Sequence, residues 1–167
     1  MVLTKEELIG SLQNEVRILL HLAGKIDRAQ LDYRPSPKQR STIELLRYLS
    51  VMGPELIGFI KTGIFNPAAW QASVEAANGM SFDQVLAMVE GHKARYAELL
   101  NAWSEAELRG EVEMFHRKSS RGSMIVNMVL CGCAAYRAQL FLYLKACGRE
   151  ELGTTDLWLG ADAAASA

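Results

Sequence analysis

Histidine and cysteine are scarce in this chain, with three of each among 167 residues. The cysteines, Cys131, Cys133 and Cys147, form an odd and sparse set. Two cysteines separated by one residue in a helix point their sulfurs about 200° apart, so Cys131 and Cys133 cannot chelate one ion together. We interpret all three as small buried side chains, with reactive thiol chemistry as the alternative.

The histidines do not pair, because none lies three or four residues from another, the spacing that places two side chains on one helical face. His21 projects opposite the apolar stripe of its predicted helix, which favours a solvated or interfacial position. His116 lies in a connection beside Arg117 and Lys118. His92 projects onto an inward face, either as a core histidine bonded to a neighbour or as a group that lines a pocket.

The chain also lacks an excess of charge of one sign and a long apolar run. The net charge is -1 and no basic run is interleaved with aromatic residues, so we expect neither nucleic acid nor a membrane as a partner. The longest apolar run, Met124 to Tyr136, is interrupted by Asn127 and is shorter than the roughly 20 residues that span a bilayer. The first residues carry acids where a signal peptide needs a basic region. These absences predict a cytoplasmic protein.

The composition, 50% apolar and 22% charged, is that of an ordinary soluble globular protein. The length predicts one domain over residues 1–160. Residues 161–167 are rich in alanine and serine, and we expect them to form a disordered tail.

Helical periodicity is present in four segments, and nothing alternates with period two over a useful length, which makes a sheet unexpected. Capping boxes at Thr4 and Ser41 begin the first two helices, and Ser81 begins the third. The fourth runs from about Ser123 to Cys147. The fold class predicted is all-α, a four-helix bundle, with a short helical turn at 104–108 after the third helix.

Two further features concern the second helix and the connections. Pro54 is expected to kink the second helix or to interrupt it. The connections at 25–40, 62–80 and 109–122 are long for a simple up-and-down bundle and favour a crossover. Within them, residues 66–70 are turn-like, and Trp70 is expected to cover one end of the core.

Two stretches carry a resemblance to a known family. Residues 31–35 and 41–49 contain an arginine-proline pair, then a serine and "ELLRYL"; residues 132–139 read "GCAAYRAQ". Together they resemble the DinB/YfiT-like superfamily of bacterial four-helix proteins, over about residues 4–148. The ending 156–160 is similar to the C-terminal extension of some members. The resemblance implies the same four-helix bundle with long connections.

In that family the two motifs supply three metal-binding histidines, and here Tyr48, Gly132 and Tyr136 stand at those positions. Gly132 has no side chain, and a neutral tyrosine with a pKa near 10 is a poor ligand for zinc, nickel or iron. We therefore expect a degenerate site with no metal and no cofactor.

The candidate pocket residues follow from the same comparison. If the fold is as the resemblance implies, Tyr48 and Tyr136 approach each other, either to bind a polar ligand or to satisfy each other in a filled core. Glu55 shares a flank of the second helix with Tyr48, and Gln139 and Tyr143 share a face of the fourth with Tyr136. With Gly132 and His92, these residues form the candidate ligand-binding set. Arg137 is expected to hold helix packing.

The fourth helix is apolar on two faces. Its inner face carries Ile125, Val129, Tyr136, Leu140 and Tyr143, and its outer face carries Leu130, Ala134, Ala138 and Phe141. A helix that is apolar all round is buried on both sides, so we expect a homodimer through this helix. The alternative is that the 62–80 connection folds over the outer face.

Three functions remain open from the sequence. The first is metal-free binding of a small molecule in the residual pocket. The second is a dimeric scaffold or regulator without pocket chemistry. The third is an acid–base enzyme around Tyr48, Tyr136, His92 and Glu55. Family members with intact histidines include thiol transferases and isomerases, but their activity needs a metal-activated thiolate, which a chain without the three ligands cannot supply.

Overall fold

The computed structural model describes residues 3–163, so residues 164–167 of the predicted tail lie outside the described part. Eight α-helices and one hairpin follow one another along the chain. They are α1 (Lys5–Ala23), α2 (Thr42–Thr62), α3 (Pro67–Asn78), α4 (Phe82–Asn101), α5 (Glu105–Arg109), β1 (Glu111–Met114), β2 (Arg117–Ser120), α6 (Arg121–Ile125), α7 (Cys131–Ala146) and α8 (Thr154–Leu159). A 3₁₀ turn at Arg28–Gln30 precedes α2, and a π-helical turn at Val126–Leu130 joins α6 to α7.

Helix starts follow the local sequence closely. Thr4, Ser41, Ser81 and Ser104 each accept a hydrogen bond from the backbone N–H three residues on, and the residue at that position bonds back to the cap. This reciprocal arrangement satisfies two backbone donors that the first turn of a helix leaves free. The predicted starts of the first three helices and of the short helical turn are confirmed.

Four long helices form the bundle: α1, α2, α4 and the continuous helix Arg121–Ala146, here called the fourth bundle helix. Both α4 and the fourth bundle helix lie between α1 and α2 and pack against each of them. The first two bundle helices, α1 and α2, therefore sit diagonally across the bundle, as do α4 and the fourth bundle helix, which requires the predicted crossover. The apolar faces meet in one core of the described residues, and the all-α bundle with long connections is confirmed.

The second and fourth bundle helices differ in detail from the sequence prediction. Pro54 lies inside α2, which continues without interruption to Thr62 and ends at Gly63 with φ 74°. The fourth bundle helix begins two residues before the predicted Ser123. Its π-helical turn inserts an extra residue into the helical repeat, which rotates the faces expected from a regular helix.

The connections contain more structure than the sequence predicted. Residues 66–70 were expected to be a turn, but Asn66 caps α3 and Pro67 is its first residue, a favourable position for proline. The expectation of no sheet was also wrong, since β1 and β2 form an antiparallel hairpin from Glu111↔Ser120 to Met114↔Arg117. Strands of four residues are too short for a period of two to be recognised.

The C-terminal segment packs against α1 and the fourth bundle helix. Arg17 donates to the carbonyl oxygen of Gly160 at 3.1 Å, and Arg137 donates to that of Leu157. His21, expected to be solvated or interfacial, is half-buried with its Nε2 2.9 Å from the buried carboxylate of Asp156. These contacts hold α8 against the bundle.

By length and composition, Arg121–Ala146 is apolar enough to cross a membrane. A core helix of a soluble protein passes the same test. This helix packs on α1 and α2 and forms a buried ion pair, Arg137 Nε to Glu15 Oε2 at 2.8 Å. Burial raises the pKa of Glu15 and outweighs the opposing effect of Arg137. The length and apolar composition of this helix are therefore only weak evidence that it crosses a membrane.

Candidate functional site

A cleft of about 410 Å³ opens between α2, α3, the hairpin tip and the fourth bundle helix. Most of its walls are aromatic rings and thioethers, and two tyrosine hydroxyls supply polar groups. Its lining consists of Tyr48, Met52, Leu56, Phe65, Trp70, Phe115, Met128, Gly132 and Tyr136. The three positions that the family resemblance singled out, 48, 132 and 136, thus line one cleft.

Tyr48 and Tyr136 contact each other at the edge of this cleft. Their ring centroids are 5.1 Å apart and the rings are inclined at 69°, an edge-to-face pair. Burial, with a smaller contribution from the neighbouring Tyr136, raises the pKa of Tyr48 to about 12. The two side chains therefore pack against each other and also border open space, and the Tyr48 hydroxyl stays protonated at physiological pH.

Three further rings extend the wall away from the tyrosines. Trp70 of α3 lies 6.0 Å from Tyr48 and 6.1 Å from Phe65 between ring centroids. Phe65 in turn lies 5.2 Å from Phe115 at the hairpin tip. Phe115 and His116 both have positive φ, 52° and 60°, as a tight hairpin turn requires. The connections, not the bundle helices, therefore supply this side of the cleft.

Gly132 forms part of the floor. A Cβ at this position would lie 3.3 Å from both Sδ and Cε of Met52, the flexible end of a side chain. The absence of a side chain at 132 therefore keeps space open above Met52.

The side chains at 48, 132 and 136 do not fit a divalent metal. None of them offers an imidazole, a carboxylate or a thiolate, the usual ligands of zinc, nickel and iron. A tyrosine binds such an ion as phenolate, and the raised pKa of Tyr48 disfavours that form.

Three metal-capable side chains come together elsewhere. The donor atoms of His21, Asp156 and Asp162 lie within 4.8 Å of one another. Lys25 already pairs with Asp162, and the Gly153 N–H donates to Asp156 at 2.9 Å. Burial raises the pKa of Asp156, but the bonds from Gly153 and His21 outweigh this and lower it overall. We interpret the group as an ion-pair network that attaches the C-terminal segment to α1.

Gln139 and Tyr143 do not line the cleft but are connected to it. The Gln139 amide donates to the Tyr143 hydroxyl at 2.5 Å, and this hydroxyl donates to the carbonyl oxygen of Arg40 at 2.9 Å. The guanidinium of Arg40 lies 4.0 Å from the ring centroid of Tyr48. The two residues therefore position the chain that carries Arg40.

Glu55 and His92 lie apart from the cleft and from each other. Glu55 accepts a hydrogen bond from Ser73 Oγ at 3.0 Å and ties α2 to α3. His92 is 5% exposed, and its Nε2–H donates to the Ser50 carbonyl oxygen at 3.0 Å. Burial lowers the pKa of His92 to about 4. It lies in the core beside Tyr96 and Cys133, around a void of only ≈ 10 Å³.

Sequence reasoning missed several cleft residues. Phe65 and Phe115 come from connections, and Met52 was not among the candidate residues. The sequence signal for α3, asparagine before proline, was present at 66–67 and would have placed Trp70 on a helix. No local signal indicates that the hairpin tip reaches the cleft.

No protein-family model matches the sequence, and no curated protein matches it as a relative. Solved structures do match in fold. A DinB-like protein from Bacillus subtilis, YjoA, is 19% identical with a TM-score of 0.67, over 87% of this chain and 94% of that one. A mycothiol-dependent maleylpyruvate isomerase is 14% identical with a TM-score of 0.61, over 83% of this chain and 60% of that one. At these identities the likeness shows the fold.

Proposed function

We propose that this chain, which has the DinB-like fold, binds a small apolar or aromatic molecule without a metal in the cleft bordered by Tyr48, Trp70 and Tyr136. The observation that carries the proposal is an open cleft at the positions the family resemblance indicated. Rings and thioethers suit an apolar ligand, and the tyrosine hydroxyls suit one polar group on it.

The fold supports small-molecule chemistry in general terms. One neighbour in fold is a mycothiol-dependent isomerase, so a protein of this architecture acts on a small molecule. We do not transfer that activity, because the side chains at 48, 132 and 136 lack metal ligands. An acid–base enzyme around His92 and Glu55 is also less favoured, because neither residue lines the cleft.

A homodimer is proposed alongside binding and is favoured by the outer face of the fourth bundle helix. Here α3 packs against α2 instead of covering that face. Leu142 on this helix is 63% exposed, and Leu130, Ala134 and Phe141 are only partly buried. An apolar helix face with this exposure is typical of an interface. We place the dimer in the cytoplasm, as the sequence predicts.

The binding proposal is tested by fluorine NMR on protein labelled with 5-fluorotryptophan. The chain has three tryptophans, and only Trp70 lines the cleft. A panel of small aromatic fragments is expected to shift the Trp70 signal and to leave those of the buried Trp103 and the exposed Trp158 unchanged. Conservative replacement of each tryptophan by phenylalanine assigns the signals.

A matched pair of variants locates the site. Gly132→Leu fills the floor of the cleft and is expected to abolish the shift. Gly58→Leu makes the same change on the exposed side of α2, where an added Cβ meets nothing within 4 Å, and is expected to retain it. Circular dichroism verifies that both variants fold. No shift of Trp70 in the wild type, or an equal shift in Gly132→Leu, would contradict the proposal.

A further inference from the structure

A second cleft adjoins the first across Tyr48 and Trp70. It has a volume of about 330 Å³, and these two side chains line both clefts. Its other walls carry no further ring: Arg40, Glu44 and Arg47 come from α2 and the turn before it, and α3 contributes Gln71, Val74, Ala77 and Asn78. An apolar space and a polar space therefore meet at one shared pair of rings.

The polar cleft carries an excess of positive charge. Within residues 3–163, no carboxylate forms an ion pair with Arg40 or Arg47. Glu44 is already engaged, because its carboxylate accepts from Arg34 at 3.2 Å and from the Ser41 N–H at 2.8 Å. The local balance is two arginines against one paired glutamate.

Both arginines are held in place by groups other than acids. Arg47 donates through Nε and Nη2 to the carbonyl oxygen of Met80, at 3.0 and 2.5 Å, which fixes its guanidinium at the cleft wall. The Arg40 guanidinium lies over the Tyr48 ring, 4.0 Å from its centroid, and Tyr143 holds the Arg40 backbone. A cation that is positioned in advance and lacks an acidic partner is suited to bind an anion from solution.

We propose that the two clefts form one bipartite site for an amphipathic monoanion, a small carboxylic acid with an apolar or aromatic body. The body occupies the aromatic cleft and the carboxylate lies at Arg40, with Arg47 nearby. A planar guanidinium matches a carboxylate with two parallel hydrogen bonds. The Arg40 guanidinium supplies one positive charge for the one carboxylate of the ligand. This inference rests on the proposed function and adds the chemical class of the ligand.

The test compares 3-phenylpropionate with its neutral analogue 3-phenylpropanamide at constant pH and ionic strength. Both probes have the same body, so a difference in Kd reports on the polar group, a charged carboxylate against a neutral amide. The Trp70 fluorine signal measures binding of each. In the wild type the carboxylate is expected to bind about tenfold more tightly than the amide, the size of effect of one charge-assisted hydrogen bond.

Two variants assign the preference to Arg40. Arg40→Gln removes the charge but keeps the carbonyl that Tyr143 binds, so it is expected to abolish the preference, and the two probes then bind with equal Kd. Arg95→Gln makes the same change of net charge on the exposed side of α4 and is expected to retain the preference.

The failures of the two proposals are distinguishable. Equal binding of both probes at Trp70 overturns the anion preference and leaves the binding proposal standing. The anion preference is also overturned if it persists in Arg40→Gln, or if other fragments shift the Trp70 signal and these two probes do not. If no fragment shifts the Trp70 signal, both proposals fall.

Discussion

Gly53 on α2 leaves the space that the side chain of Tyr96 on α4 occupies. A Cβ at position 53 would overlap the Tyr96 hydroxyl and lie 2.9 Å from Cζ. The ring is fully buried, and this burial, with a smaller contribution from the neighbouring Cys133, raises the pKa of Tyr96 well above its usual value. The close approach of α2 and α4 therefore depends on a glycine facing a tyrosine.

Gly53→Ala is expected to destabilise the protein by about 2 kcal/mol, the usual cost of overpacking a core. In an exposed helix the same change would stabilise by about 1 kcal/mol, so the overlap with Tyr96 determines the sign. Urea denaturation measures the free energy of unfolding. Adding Tyr96→Phe removes the hydroxyl, so the double variant is expected to lose less than the sum of the two single changes. An additive result would show that the overlap is relieved elsewhere.

Because of His92, the free energy of unfolding is expected to decrease as the pH is lowered. A histidine in the unfolded chain binds a proton near pH 6.5, whereas His92 in the folded chain does so at about 4. Between these values the unfolded state binds more protons, so the free energy of unfolding decreases as the pH falls. The loss from pH 7 to pH 5 is about 2 kcal/mol.

Replacement of the imidazole isolates this contribution. His92→Gln keeps an N–H donor for the Ser50 carbonyl and removes the titrating group. Denaturation at pH 7 and pH 5 is expected to show a smaller loss for the variant than for the wild type. An identical loss in both proteins would assign the pH dependence to other groups.

Metal binding at the cleft is expected only after histidine side chains are introduced at positions 48, 132 and 136. Wild-type protein should bind no stoichiometric zinc, nickel or iron at 48, 132 and 136. The triple variant Tyr48→His, Gly132→His, Tyr136→His should bind about one metal ion per chain and gain thermal stability from it. The structure supports the design because Tyr48 and Tyr136 are in contact and Gly132 faces a flexible methionine end. Elemental analysis of both proteins measures the outcome, and metal in the wild type that is lost on changing Tyr48 would refute the expectation.

The proposed dimer is expected to depend on Phe141. Phe141→Glu would place a charge in a desolvated interface, at a cost of several kcal/mol. Light scattering should then detect a monomer or an aggregate. Met88→Glu is the control, because Met88 is an exposed apolar residue on α4, away from this face. A monomeric wild type would contradict the dimer itself, and an unchanged dimer in Phe141→Glu would contradict the choice of face.

Much of the fold could be predicted because the signals for helix starts are local. The capping boxes at Thr4 and Ser41 involve residues three apart, and both formed as expected. The shorter elements were missed for a physical reason. In α3 the apolar residues Trp70, Val74 and Ala77 form only a narrow stripe and Ala77 alone is buried, so the helical signal in its sequence is weak. The hairpin strands are stabilised by pairing with each other. A pattern of only four residues is too short to predict that pairing.

The candidate site was predictable only in part, for a related reason. Tyr48, Gly132 and Tyr136 lie on bundle helices, whose position the family resemblance fixes. Phe65 and Phe115 reach the cleft through connections, and their position depends on tertiary packing. His92 was placed on an inward face correctly, but helical projection does not distinguish the core from the cleft.

The order of helices in the bundle also bears on how the protein folds. Because α4 and the fourth bundle helix lie between α1 and α2, the first two long helices acquire their main partners only from later parts of the chain. During synthesis, a nascent chain that ends before residue 82 contains α3, which packs on α2, but lacks α4 and the fourth bundle helix. Contacts between distant parts of the chain slow folding relative to an up-and-down bundle. The cleft, which joins residues 48–70 to 115–136, is completed only when the last bundle helix packs.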